Sequence, residues 1–105
     1  MIVAGTVPAE VVRSGERVIA FRDLNPRAPT HVLIIPTDHY ANVEELAAGD
    51  AAALAELVQV GASIANEAED GGFRLVFNTG PAAGQSVLHV HGHVLAGRQL
   101  AWPPG

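Results

Sequence analysis

Gly84-Gln85-Ser86-Val87-Leu88-His89-Val90-His91-Gly92-His93-Val94 is the stretch whose reading decides the fold. Three histidines alternate there with apolar or small residues. Side chains on a strand change face at every residue. The spacing therefore predicts a strand from Val87 to Leu95. His89, His91 and His93 would project from one face, and Leu88, Val90 and Val94 from the other, toward a core. Gly92 leaves a gap in the apolar row. Alternation this regular, beside the loop Gly80-Pro81-Ala82-Ala83-Gly84, points to a built row of imidazoles rather than to scattered surface histidines.

Working outward, Phe73 to Thr79 alternates as another strand, with Phe73, Leu75 and Phe77 on one face and Asn78 on the other. His31-Val32-Leu33-Ile34-Ile35 is β-branched and nearly all apolar, so it reads as a central strand that Pro36 ends. Asn25-Pro26-Arg27-Ala28-Pro29 is a loop, because its prolines cannot donate to a ladder. Val18 to Phe21 is a short strand that follows the turn Ser14-Gly15-Glu16. Asp50 to Glu69 is the one long helix, capped by Asp50 and stopped by Gly71-Gly72. Leu54, Leu57, Val58, Gly61, Ile64, Ala65 and Ala68 make its apolar stripe. Gly61 on that stripe predicts the close approach of another backbone. Trp102, ahead of Pro103 and Pro104, lies in a non-helical tail, and its indole is expected to pack. The fold expected is α+β, with about five antiparallel strands, one long helix and a short one.

The chain has 105 residues, enough for one domain spanning residues 1–105. A hydrophobic fraction of 49% excludes a disordered tail. Six basic residues against eleven acidic ones give a net charge of −5, which argues against polymeric nucleic acid or an anionic membrane as a partner. A single nucleotide remains compatible, since it needs only one favourable pocket. With no cysteine there is no disulfide, no thiolate metal site and no cysteine nucleophile. No apolar run approaches the roughly 18 residues of a membrane span. The first ten residues lack the basic and long apolar regions of a signal peptide. The expected location is the cytoplasm.

Two chemistries suit the histidine row. One is a metal site, although ligands at i, i+2 and i+4 spread over about 13 Å of strand and no carboxylate lies nearby in sequence. The other is displacement at phosphorus. One imidazole attacks while its neighbour carries a proton, and a nucleophilic histidine divides a hard step into two easier ones. Gly84 lets backbone N–H groups approach phosphate oxygens, and Gln85 and Ser86 add side-chain donors.

The stretch from Gly84 to Val94 resembles the signature of the histidine-triad (HIT) family. Ala20-Phe21-Arg22-Asp23-Leu24-Asn25-Pro26 and Ala28-Pro29-Thr30-His31 are similar to the nucleotide-binding front half of that family. Gly97-Arg98-Gln99-Leu100 and Trp102-Pro103-Pro104-Gly105 resemble its Hint branch, the histidine-triad nucleotide-binding proteins. The resemblance implies a HIT-like fold and a purine nucleoside phosphoramidase, which cleaves the P–N bond of nucleoside 5′-phosphoramidates through a nucleotidyl-histidine. His91 matches the nucleophile, and His93 matches the residue that contacts phosphate and assists the leaving group. His89 matches the residue that orients the nucleophile, and His31 a fourth histidine behind that network. Asp23 matches an acceptor for ribose hydroxyls. Asn78, Gln85 and Ser86 match polar contacts to ribose and phosphate, beside Gly84. Phe21, Leu24 and Ile2 match the walls of the base pocket. The implied ligands are derivatives of AMP or GMP. The resemblance also implies a homodimer whose long helices meet at Gly61 and whose tail reaches the partner's site. The alternatives are a dinucleoside polyphosphate hydrolase and a binding module with weak catalysis. Relatives start earlier, and many carry a Cys-x-x-Cys that holds zinc together with a histidine at the position of His39. Without thiolates, no metal and no cofactor are expected here.

Overall fold

Val18, Ala20, Val32, Ile34, Val94 and Ala96 recur at alternate positions on three neighbouring strands, and none is more than 2% exposed. That periodicity gives the sheet one fully apolar face, and burying it drives assembly. The computed structural model describes residues 10–67 and 72–104. Its strands are β1 (Val11–Ser14), β2 (Val18–Arg22), β3 (Thr30–Pro36), β4 (Phe73–Phe77) and β5 (Gly92–Ala96). They form a five-stranded antiparallel sheet in the order β1-β2-β3-β5-β4. Helices α1 (Val43–Gly49) and α2 (Ala51–Asn66) connect β3 to β4. A 3-10 turn at Pro81–Ala83 lies between β4 and β5. The α+β architecture with a long and a short helix is the one expected.

Helix α2 covers the apolar face. Ala53, Leu57, Gly61, Ile64 and Ala65 are its buried residues. Full burial of a leucine such as Leu57 contributes about 1.5–3 kcal/mol. The stripe is rotated from the predicted one: Ala53 joins it, while Val58 is 41% exposed. Gly61 also has a different role from the one expected. A Cβ there would lie 3.0 Å from Val94 Cγ2 and 3.4 Å from Ile34 Cδ1, so the glycine admits this chain's own sheet rather than a second helix. Asp50 serves both helices. Its N–H donates to Leu46 O at the end of α1, and its Oδ1 accepts from Ala53 N at the start of α2. Glu56 fastens the β1–β2 turn to α2, because Oε2 accepts from Arg17 N at 2.7 Å and Val18 N at 3.2 Å. The predicted helix end, from Ala68 to Gly71, lies outside the described residues.

Three further expectations are corrected. The last strand begins at Gly92, not Val87. Gly92 is the first residue of that stretch to pair with both neighbours, Ile34 of β3 and Phe77 of β4. Upstream of it the chain follows the connection after β3 instead, with Val90 N donating to Tyr40 O at 2.7 Å. Leu88 accordingly lies 71% exposed rather than in the core, while Val90 and Val94 are buried as expected. Trp102 is 81% exposed, so its indole is not packed into a core as expected. Among the described residues, no helix is long and apolar enough to cross a membrane.

Candidate active site

Because β5 starts at Gly92, the three histidines do not share one strand face. His93 alone lies on β5. It pairs with Leu33 while His31 pairs with Leu95, so the two rings are diagonal neighbours on the face away from α2. His89 and His91 sit on the irregular segment before the strand. The fold nevertheless brings all five histidines into two hydrogen-bonded groups linked by His91.

The first group is His31, His93 and Asp23. Arg27 N donates to His31 Nδ1 at 3.0 Å. That nitrogen is therefore an acceptor, and the ring proton sits on Nε2. His31 Nε2 lies 3.0 Å from His93 Nδ1 and 3.4 Å from Asp23 Oδ2. It donates forward, so a neutral His93 carries its own proton on Nε2, the nitrogen on the far side of the ring. Burial, then the nearby His91 and His31, hold His93 below the ordinary imidazole value, and Asp23 opposes them. Asp23 Oδ1 accepts from Asn25 N at 2.7 Å, so one oxygen braces the turn while the other faces the histidines.

The second group is His89 and His39. His89 Nε2 donates to Pro36 O at 3.2 Å, and its Nδ1 lies 2.9 Å from His39 Nδ1. Burial is the main cause that lowers the His89 pKa. The His89 carbonyl accepts from His91 Nδ1 at 2.9 Å. In a neutral His91 the single proton is thereby placed on Nδ1, and Nε2 keeps a free lone pair. The His91 and His93 ring centroids are 5.1 Å apart. A bare imidazole nitrogen and a neighbouring imidazole N–H thus stand side by side, which is what displacement at phosphorus requires.

The loop before these residues is held by its own side chains. Gly80 and Gly84 take positive φ values of 85° and 87° that suit glycine. Gln85 Oε1 accepts from Gly80 N, and Nε2 donates to Ala41 O and Val87 O. Asn78 Nδ2 donates to Ala83 O at 2.7 Å. Both amides, expected to meet ligand, are engaged in shaping the loop. Ser86 lies exposed beside them. Leu24 is 75% exposed, and Phe21 is buried in β2. Ile2 lies outside the described residues. The sequence reading gave no contact to His39, Tyr40 or Ala41. Their positions follow no period, and only the three-dimensional path of the chain reveals them.

Asp23, His31 and His93 place three ligand atoms within 4.8 Å of one another. The tautomer of His31 opposes a metal there. Its Nε2 bears the proton that Arg27 N–H fixes by occupying Nδ1, so it has no lone pair to give. The chain has no cysteine, which excludes a thiolate site, although histidine and carboxylate alone can also hold zinc. With the His31 proton on Nε2, this cluster leaves Asp23 and His93 as its possible ligands.

The model of the HIT domain matches residues 4–100. A purine nucleoside phosphoramidase of Escherichia coli K12 is 42% identical over 102 residues, covering 94% of this chain and 85% of its own length. A 14 kDa zinc-binding protein of Zea mays is 43% identical over 107 residues, covering 99% and 84%. Among solved structures, a HIT family hydrolase from Legionella pneumophila superposes with a TM-score of 0.90 at 42% identity, covering 99% of this chain and 95% of that one.

Proposed function

Because this chain belongs to the HIT family, we propose that it hydrolyses purine nucleoside 5′-phosphoramidates with His91 as the nucleophile. One observation carries the reading: the His89 carbonyl accepts a hydrogen bond from His91 Nδ1–H and so leaves Nε2 bare. The similarity to a phosphoramidase supports the substrate class.

In this mechanism His91 Nε2 forms a bond to the α-phosphorus as the P–N bond breaks. His93 Nε2–H donates a hydrogen bond to the oxyanion, and the departing nitrogen takes its proton from solvent as it leaves as the amine. Water then opens the Nε2–P bond and releases the nucleoside monophosphate. Over the whole cycle, the protons that the amine takes from solvent are replaced by those the attacking water releases. His31 fixes the His93 tautomer from behind. Asp23 accepts from ribose hydroxyls, and Ser86 with the backbone at Gly84 meets phosphate. Leu24 and Phe21 border the base. Gln85 and Asn78 act by holding the loop. The reading needs no metal and places the enzyme in the cytoplasm.

We also assign a homodimer. Strand β4 is an edge of the sheet, Phe73 on it is 39% exposed, and α2 leaves Val58 exposed and Leu54 only partly buried. An unpaired edge beside apolar surface favours a second copy.

The test is hydrolysis of a fluorogenic adenosine phosphoramidate in EDTA by wild type and His91→Ala. Wild type should turn over, and His91→Ala should lose at least roughly 10⁴-fold. Activity that EDTA abolishes would favour a zinc enzyme. Faster cleavage of a diadenosine polyphosphate would favour that substrate class.

A further inference from the structure

The connection after β3, residues 36–41, runs beside the histidine segment and bonds to it four times. Pro36 O accepts from His89 Nε2, His39 Nδ1 meets His89 Nδ1, Tyr40 O accepts from Val90 N, and Ala41 O accepts from Gln85 Nε2. Three of the four are carbonyls that only accept. The His39 contact is the exception, and its polarity follows from the others. Pro36 O obliges His89 to keep its proton on Nε2. His89 is 8% exposed, and its burial favours the neutral ring. A neutral ring with Nε2–H has a bare Nδ1. The proton between the two Nδ1 atoms therefore belongs to His39.

We propose that His39 is a positioning residue: by donating Nδ1–H to His89 Nδ1 it locks the His89 tautomer and ring against Pro36, and so holds the His89 carbonyl that keeps the Nε2 lone pair of His91 free. The proposal rests on His91 being the nucleophile, as above, and adds a residue that never touches substrate. His39 lies at the exposed end of a chain that runs inward through His89 to His91. Without its donor, the buried Nδ1 of His89 is left unsatisfied. Residue 89 then loses one of the two anchors on its ring, and its backbone carbonyl is held less firmly. A small misplacement of a reacting group costs up to about 100-fold in rate.

Two substitutions of almost equal shape separate hydrogen-bond polarity from packing. In His39→Asn the side-chain amide places an N–H where the imidazole Nδ1 stood. In His39→Asp a carboxylate of the same size can only accept, and it pulls a proton onto His89 Nδ1. The readouts are phosphoramidase kinetics and the His89 tautomer from ¹⁵N NMR of the ring. His39→Asn should retain Nε2–H on His89 and stay within about threefold of wild type. His39→Asp should shift the His89 proton to Nδ1 or protonate both nitrogens, and lose roughly 10- to 100-fold in kcat with KM little changed. Equal activity of the two variants would overturn the proposal, since packing alone would treat them alike. An Nδ1–H tautomer of His89 in wild type would also overturn it. The NMR result stands apart from turnover. An inactive wild type with the Nε2–H tautomer on His89 would sink the function and with it the positioning role, while leaving the tautomer lock intact.

Discussion

Moving one proton across the His91 ring would point its lone pair at the His89 carbonyl instead of at a ligand. Backbone groups set the tautomers of His31 and His91, through Arg27 N–H and His89 O, while Pro36 O and His39 together hold that of His89. Backbone groups do not titrate in the working range, so their contacts favour the same tautomers wherever the rings are neutral. Gln85 shows the same logic in a neutral side chain. Its amide N–H groups bond to two carbonyls, and its oxygen accepts from Gly80 N. Gln85→Glu keeps the acceptor and turns the donors into an anion facing Ala41 O and Val87 O. We expect it to cost about 1–3 kcal/mol in chemical denaturation and to lower kcat/KM by roughly tenfold. Unchanged stability would show that the loop is held otherwise. The histidine spacing was enough to find the reactive residues, because alternation is a local signal. The polarity of each hydrogen bond was not legible, since every partner that sets it is 2 to 62 positions away in the chain.

At the scale of elements, β5 is short because Gly92 marks the change from histidine segment to ladder. Alternation alone could not place that boundary. A strand and an extended segment bonded to a loop share the same period, and the difference lies in what the backbone pairs with. Gly92 is also a packing requirement. A Cβ there would come within 3.1 Å of Leu57 Cδ2, 3.1 Å of Phe77 Cε1 and 3.2 Å of Leu75 Cδ1. Gly92→Ala should therefore destabilise by about 1–3 kcal/mol by overpacking. Gly72→Ala, with nothing within 4 Å of its Cβ, is the control and should be close to neutral. A destabilised control alone would show that the packing argument is misplaced. The helix boundary was readable in advance because Asp50 has a local signature. Asp50→Ala should cost about 1 kcal/mol by removing the acceptor for Ala53 N.

For the whole molecule, burial of His89 and His93 links folding to pH. Both folded pKa values lie below the ordinary 6.5. Below that pH the unfolded chain binds protons that these folded rings resist, so stability is full above about pH 6.5 and falls as the pH drops toward the lowered values. Thermal unfolding should show a lower Tm at pH 5.5 than at pH 7.5. His89→Gln should narrow the gap, and an unchanged gap would remove His89 from the account. The edge at β4, with Phe73, Val58 and Trp102 exposed, predicts a dimer mass by light scattering at micromolar concentration. A monomer would contradict that assembly. Sheet, helix and histidine cluster were readable from periodicity. The exposure of Trp102 was not, because an apolar residue in an aperiodic tail carries no local signal of its burial.

The central claim is that His91 takes the nucleotidyl group before water does. Hydrolysis of a substrate of single configuration at phosphorus, made chiral with sulfur and oxygen isotopes, tests it directly. Two in-line displacements, first by His91 Nε2 and then by water, must give net retention. Retention is the predicted result. Inversion would mean that water attacks in one step, with His91 as something other than the nucleophile.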